Sequence, residues 1–226
     1  AGASHTRLSL ALADGASATI IESLDGVGAY FATGVTEATL GAGARLARDV
    51  LQDGSDVGAE AAIFSARLGS HAELHQMALL FGARASRMEN RIEFAGPGAR
   101  AELRSAAALS DQRHSDHTTH VEHKAEGCET RQIHKSALRD RSHGVFQGKF
   151  LVARGAQRTD ARMTANALLL SRDAEASHKP ELEIYADDVQ CAHGSTAGAL
   201  DDEALFYMRQ RGLNETAARA LLVEAF

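Results

Sequence analysis

The pair Cys191 and His193 offers the first candidate for chemistry in this 226-residue chain. The two residues are separated by one alanine, and in an extended strand residues i and i+2 point to the same face. The thiol and the imidazole could therefore reach one reacting atom or one metal ion. A neighbouring imidazole favours the thiolate, which is the nucleophile and the soft-metal ligand. The same spacing is also typical of core packing, because cysteine is often a small buried residue.

A row of four histidines is the second candidate. It consists of residues spaced by three along the segment HSDHTTHVEH, namely His114, His117, His120 and His123. On a helix they would share a face and could bind zinc or nickel. The segment is rich in β-branched and polar residues, however, and predicts a strand, in which successive members alternate between faces. A structural or solvent-facing row and a metal site thus remain as alternatives.

Two further groups favour structural interpretations. Cys191 has a histidine two residues away, whereas Cys128 has none so close in sequence. We expect Cys128 to be a buried residue of the core. A cluster of carboxylates near the C-terminal end could suggest paired acid–base groups, but a solvated strand edge explains it more simply. Its members are Glu181, Glu183, Asp187 and Asp188. The Gly148-Lys149 dipeptide is followed by Phe150 and does not complete a phosphate-binding loop.

Short strands punctuated by glycine would position these residues. The segment RMENRIEF alternates so that Met88, Asn90, Ile92 and Phe94 share one face. Similar strands are predicted from residue 5 to about 195, with no helical segment of convincing length between them. A doubly wound α/β fold is excluded because it needs crossover helices. The glycine turns GAGAR, FGAR, GPGAR and ARGAQR recur without a strict repeat, so a sandwich, a barrel and a solenoid all remain open.

The last 25 residues or so change character and predict two short helices. Asp201 can cap the first, which carries acidic residues in its first turn, and Gly212 stands where a C-terminal glycine belongs. Asn214 can cap the second, whose apolar stripe includes Leu221 and Leu222. Such a pair could serve as a docking appendage or as a terminal cap on the core.

Composition excludes several classes of protein. The formal net charge of −6 is not that of a general nucleic-acid binder. No apolar run approaches the roughly 18 residues that span a bilayer, and no secretory signal is recognisable. Two cysteines are too few for a disulfide framework, so we expect a cytoplasmic protein. The chain does not begin with Met and ends within an apolar periodic stretch, and we expect it to be a fragment.

Three sequence segments within about the last hundred residues resemble those of a known protein family. The matching segments are EHKAEGCETRQIHK, VFQGKFLVARGAQRTDARMTANALLLS and KPELEIYADDVQCAHGSTAGALDDEALFYMRQRGL. They resemble the SufD family, the scaffold partner in bacterial iron–sulfur cluster assembly and a relative of SufB. In the SufB region we would expect a His-Glu pair where this chain has His193-Gly194.

The resemblance implies an all-β core, a right-handed parallel β-helix (a β-solenoid), over residues 1–198, followed by a C-terminal helical segment over 199–226. The family's N-terminal helical region is absent from this chain. The core is expected to pair with SufB through its β-helix edge, and the helices to dock the SufC ATPase. The residues expected to contact SufC are Asp202, Leu205, Phe206, Tyr207, Arg209, Arg211, Leu221 and Leu222.

The resemblance also implies a role for the first candidate pair. His193 is expected to lie at the SufB seam as a ligand of iron or of the nascent cluster, with Cys191 as an accessory thiol. The chain would then be a non-catalytic scaffold, with transient iron or a cluster in the complex and no stably bound cofactor when isolated. Reduced flavin is a further expectation for the complex only. The histidine row inherits no role.

Three other interpretations stay open at this stage. An autonomous metal-dependent β-solenoid enzyme is suggested by the carboxylates and the many histidines. A SufB-like member would build the cluster itself, although two cysteines argue against that. Without SufB, the same sheet edge could pair with a second copy of the chain.

Overall fold

The computed structural model describes residues 2–226, which form two seven-stranded parallel sheets and two helices. Odd-numbered strands form sheet A and even-numbered strands form sheet B, each in strict order along the chain. The strands of sheet A are β1 Gly2–Leu12, β3 Tyr30–Leu40, β5 Ala59–Leu68, β7 Ala85–Phe94, β9 His114–His123, β11 His143–Val152 and β13 Glu175–Ile184. The strands of sheet B are β2 Ser17–Asp25, β4 Arg45–Asp53, β6 Glu73–Gly82, β8 Arg100–Leu109, β10 Glu129–Leu138, β12 Thr159–Leu169 and β14 Val189–Ala199.

This arrangement is a parallel β-solenoid of seven coils, each made of one strand from each sheet. Each strand of the five middle coils pairs in parallel with the strands one coil before and one coil after it, for example Phe146 with His117 and with His178, whereas the strands of the first and last coils pair on one side only. The predicted fold class is therefore confirmed. A coil cannot bury its inner face alone, so the core forms only when neighbouring coils stack.

Alternation along each strand separates the core from solvent. Met88, Asn90, Ile92 and Phe94 on β7 are all buried, as the sequence pattern predicts. Phe94, Phe146 and Phe150 are completely covered and belong to the largest cluster of core residues. Their burial is the main source of stability, since each aromatic ring removes a large apolar area from water.

Small residues line one corner of the solenoid, where the chain turns from sheet A into sheet B. Ala44, Ala72 and Ala99 precede successive strands of sheet B and have no exposed surface. Cys128 occupies the same position in the next coil and is 1% exposed, which confirms that it is buried packing. The turns are tight: a Cβ on Gly96 would collide with the backbone nitrogen of Ser70 in the preceding coil.

Polar side chains occupy the middle of the solenoid. Arg48 is 1% exposed and binds both carboxylate oxygens of Glu22, with Nη2–Oε2 at 2.6 Å and Nε–Oε1 at 3.1 Å. Its Nη1 donates to Gln76 Oε1 at 2.9 Å, and its guanidinium lies 4.3 Å from the centre of the Phe64 ring. A buried cation requires such partners because its desolvation is otherwise very costly. The interior is thus a mixed core, apolar at its sides and hydrogen-bonded along its axis.

Two helices follow the solenoid as the sequence predicts. The helix α1, Asp202–Gln210, begins at the cap Asp201, whose carboxylate accepts from the backbone N–H groups of Glu203 and Ala204. The helix α2, Glu215–Ala225, begins at the cap Asn214. The predicted boundary between residues 198 and 199 falls at the end of β14, and as a division into domains it stays a prediction.

Candidate functional site

Cys191 and His193 lie on β14, the strand at one end of sheet B. In the described residues β14 pairs only with β12, so its other edge has no neighbour. Cys191 is in register with Ala161 and His193 with Met163, and both partners are fully buried core residues. The pair therefore faces the inside of the solenoid, at its last coil, about 6.6 Å apart along the strand at 3.3 Å per residue.

The two side chains differ in exposure. Cys191 is half-buried and packs against the edge of the core, whereas His193 is exposed. Burial is the main cause that raises the pKa of the Cys191 thiol; a backbone hydrogen bond at Ala161 opposes it and the Asp160 carboxylate adds to it. The sequence suggested that a neighbouring imidazole would favour the thiolate. The structure does not support this expectation, because the pKa of the Cys191 thiol is shifted upward, and His193 is not among the causes of the shift.

His178 and Ser195 complete the inner face of the last coil. His178 on β13 and Ser195 on β14 are joined by a hydrogen bond of 2.9 Å between Nδ1 and Oγ. Ser195 is two residues from His193 and shares its face. Sequence reasoning missed His178, although the alternation that places Leu182 inward on β13 also places His178 there.

The histidine row on β9 divides between two faces, as the strand interpretation predicts. His117 and His123 are buried in the core, and His114 and His120 lie on the outer side. His117 and His123 are six residues apart, roughly 20 Å along a strand, and do not converge. Among residues 2–226 there is no group of three or more His, Cys, Asp or Glu side chains that could hold a metal ion.

The buried histidines take part in core hydrogen bonds. His117 Nε2 lies 2.9 Å from Asn90 Nδ2, and its Nδ1 lies 3.5 Å from Nδ1 of His134 on the opposite sheet. The Asn90 amide donates to His117 Nε2, and its own oxygen Oδ1 is buried without a hydrogen-bond partner. The ring of His134 stacks on Phe146 with centroids 4.7 Å apart. Burial lowers the pKa of His117 to about 4 and that of His134 well below its ordinary value. Both imidazoles are therefore neutral structural groups at pH 7.

The carboxylate cluster lies at the surface. Glu181 contacts Lys179 at 3.0 Å and Glu183 contacts Lys149 at 2.7 Å, so each is paired with a lysine. Asp187 and Asp188 are exposed in the bend after β13. These contacts account for the cluster as a solvated edge rather than as a pair of acid–base groups.

The residues expected to dock an ATPase fall on both sides of the helical pair. Phe206 and Tyr207 are 64% and 58% exposed, and Leu221 is 44% exposed. Asp202, Arg209 and Arg211 are also exposed, whereas Leu205 is buried and Leu222 half-buried. The guanidinium of Arg211 stacks over the ring of Tyr207 at 4.7 Å. The exposed side thus presents aromatic rings beside arginines.

Comparison with known proteins gives a consistent result. The family model described as "SUF system FeS cluster assembly, SufBD core domain" matches residues 1–226. Iron-sulfur cluster assembly protein SufD of Escherichia coli (strain K12) is 49% identical over 87 residues, 38% of this chain and 21% of that protein. SufBD family protein slr0076 of Synechocystis is 47% identical over 85 residues, 38% of this chain and 19% of that protein. Protein ABCI7, chloroplastic, of Arabidopsis thaliana is 42% identical over 82 residues, 36% of this chain and 17% of that protein.

The fold and the matching model define the class as a SUF-system β-solenoid core domain. The chain belongs to the SufD family of the SufB/SufD superfamily, which confirms the resemblance found in its C-terminal segments. The matched stretch covers about a fifth of the length of these curated relatives. Neither of the two helices is long and apolar enough to cross a membrane, a finding that covers residues 2–226.

Proposed function

We propose that this chain is a non-catalytic scaffold subunit of the SUF machinery, which pairs with a SufB-type protein and docks a SufC-type ATPase. The observation that carries the proposal is the last coil: a sulfur and a nitrogen donor lie on its inner face beside strand edges without neighbours. Parallel strands with free edges are templates for pairing with another chain. A partner that extends sheets A and B here would cover Cys191 and His193 with its own residues.

The substrate of this seam is iron or the nascent cluster. A neutral imidazole is a good donor for iron, and His193 is exposed enough to receive a ligand from the partner side. The Cys191 thiol, whose pKa is raised, would lose its proton only when a metal or a partner cation stabilises the thiolate. His193 is therefore the proposed primary ligand and Cys191 an accessory group.

The helical pair is the proposed SufC site. Exposed aromatic rings and arginines are the residue types that most often contribute binding energy at interfaces. Phe206, Tyr207 and Arg211 bring both types together at the C-terminal end of α1, where Arg211 stacks over Tyr207. ATP hydrolysis would belong to the partner, whose motion would pull on the helices and rearrange the SufB seam. Reduced flavin in the complex and a cytoplasmic location stay predictions.

Co-purification tests the proposal. The tagged full-length protein would be expressed with its SufB and SufC partners and passed over a gel-filtration column. We expect all three to co-elute. The double variant Phe206→Ala, Tyr207→Ala should lose SufC and keep SufB, because it removes rings that are exposed in this chain. A matched control, Leu51→Ala, removes a side chain of 40% exposure on the outer face of sheet B, on β4 far from the helices, and should keep both partners.

Failure of the wild-type protein to bind either partner would overturn the scaffold role. A homodimer seen in isolation, which dissociates when SufB is added, would support the use of one edge for both contacts. Loss of SufC by the Leu51→Ala control, together with the helix variant, would contradict the assignment of the helices.

A further inference from the structure

A single side-chain hydrogen bond joins the two strands of the last coil among the described residues, the one between His178 and Ser195. The strands β13 and β14 lie at the ends of different sheets, and no further coil is stacked on them in residues 2–226. In the middle coils a neighbouring coil on each side holds the two sheets at their distance. In the last coil a neighbouring coil does so on one side only, with Leu182 and Cys191 packed against the core, and this bond adds a direct link between the two strands.

His178 itself is held firmly. Its ring lies edge-on to the rings of His134 and Phe146, with centroids 6.1 and 6.2 Å away. Its Nε2 is buried on the core side of the ring, the backbone of Ala165 on β12 lies close to the imidazole, and Nδ1 is the nitrogen that bonds Ser195. The imidazole of His178 therefore packs against the core on one side and bonds the exposed strand β14 on the other.

Ser195 transmits this constraint to the candidate ligand. It lies two residues after His193 on the same face of β14, so a bond that ties Ser195 to sheet A also limits the movement of the strand segment that carries His193. Since β14 has a neighbour on one edge only, its inner face would otherwise be free to twist. Outer-shell groups that bond directly to a metal-binding histidine typically change metal affinity 10–100-fold when they are removed, and an indirect link through the strand is expected at the lower end of this range.

We propose that His178, acting through Ser195, is a positioning residue that sets the place of His193 at the partner seam. This inference rests on the proposed function of His193 as an iron ligand. It assigns no direct contact between His178 and iron. It adds the requirement that the distance between β13 and β14 in the last coil must be fixed.

The test measures iron bound by the purified three-protein complex, with Fe²⁺ added anaerobically as the probe. His178→Ala should weaken binding about tenfold. His178→Gln retains a side-chain hydrogen-bonding group for Ser195 and should recover most of the loss. Ser195→Ala removes an exposed hydroxyl, which leaves folding intact, and should give the same loss as His178→Ala.

The matched control is His143→Ala. His143 and Ser177 form the same type of bond, also 2.9 Å long, but on the outer face of sheet A. This variant should bind iron as the wild type does. Wild-type binding by both His178→Ala and Ser195→Ala, with His193→Ala defective, would overturn the positioning role and leave the proposed function standing. Wild-type binding by His193→Ala would overturn both.

Discussion

The fifth coil, formed by β9 and β10, and the seventh, formed by β13 and β14, use histidine in opposite ways. In the fifth coil His117 and His134 are buried, contact each other across the two sheets and have pKa values below the ordinary range. In the seventh coil His178 is half-buried and His193 is exposed beside a free strand edge. The residue type and the inward orientation are the same. The number of stacked neighbours is different.

This difference shows that the role of an inward-facing residue depends on whether its coil lies in the middle or at the end of the solenoid. Between two coils, an inward histidine is a core residue that packs against aromatic rings and polar groups of the chain. At the last coil, the same orientation leaves donor atoms at a surface that a partner can cover. The cluster of histidines that stands out most in the sequence is therefore structural, and the isolated His193 is the candidate ligand.

The largest effect on stability should come from the aromatic core of the middle coils. Phe150→Ala removes a completely buried ring and should lower the free energy of unfolding by about 3–5 kcal/mol. Its register partner in the last coil, Leu182, is only half-buried, and Leu182→Ala should cost about 1–2 kcal/mol. Urea unfolding of both variants measures the difference. Equal costs would show that the last coil is as well covered as the middle ones.

Acid should destabilise the protein through its buried histidines. Burial lowers the pKa values of His117 and His123 to about 4, whereas the unfolded chain takes up these protons near pH 6.5. The stability due to their neutral forms is complete above pH 6.5 and is lost as the pH falls toward 4. At pH 5 each histidine should cost about 2 kcal/mol.

Unfolding in urea at pH 7.5 and at pH 5.0 measures this loss. The variant His123→Gln cannot titrate, so its loss between the two pH values should be smaller by about 2 kcal/mol than that of the wild type. An identical pH dependence of the variant and the wild type would contradict the assignment of His123 as a neutral core residue.

The smallest effect should come from Cys128. The corresponding position is alanine in three preceding coils, so Cys128→Ala should change the free energy of unfolding by no more than about 1 kcal/mol. In the folded protein, an alkylating reagent should modify the half-buried Cys191 before Cys128, which is 1% exposed. Mass spectrometry of the labelled peptides checks the order. Faster labelling of Cys128 would contradict this order and would mean that the turn before β10 unfolds locally more often than the last coil does.

Local patterns predicted much of the fold. Alternation in RMENRIEF gave the correct buried face of β7, and the caps Asp201 and Asn214 gave the correct helix starts. The solenoid could be chosen over a sandwich or a barrel only through the family resemblance. Turns from sheet A to sheet B alternate along the chain with turns from sheet B to sheet A, and this alternation hides the repeat of one coil. The repeat is visible once the small residue before each strand of sheet B is compared, as in Ala44, Ala72 and Ala99.

The interior hydrogen bonds could not be predicted. Arg48 and Gln76 are 28 residues apart, and Ser105 and His134 are 29 apart, so their pairing depends on the register between coils. A change of one residue in a turn would turn each of these side chains to the other face. For the same reason Cys191 and His193 could be placed on one face from local spacing, while the bond between His178 and Ser195 could not.

The central claim is that His193 at the last coil is functional and that other exposed histidines are not. The direct measurement is the activity of a cluster-dependent reporter enzyme in cells that carry only the full-length variant under test. We predict that His193→Ala loses nearly all reporter activity while its complex with both partners forms normally. His75→Ala, which removes a 55% exposed side chain from the outer face of sheet B, should be indistinguishable from the wild type. Wild-type reporter activity in the His193→Ala cells would contradict the account.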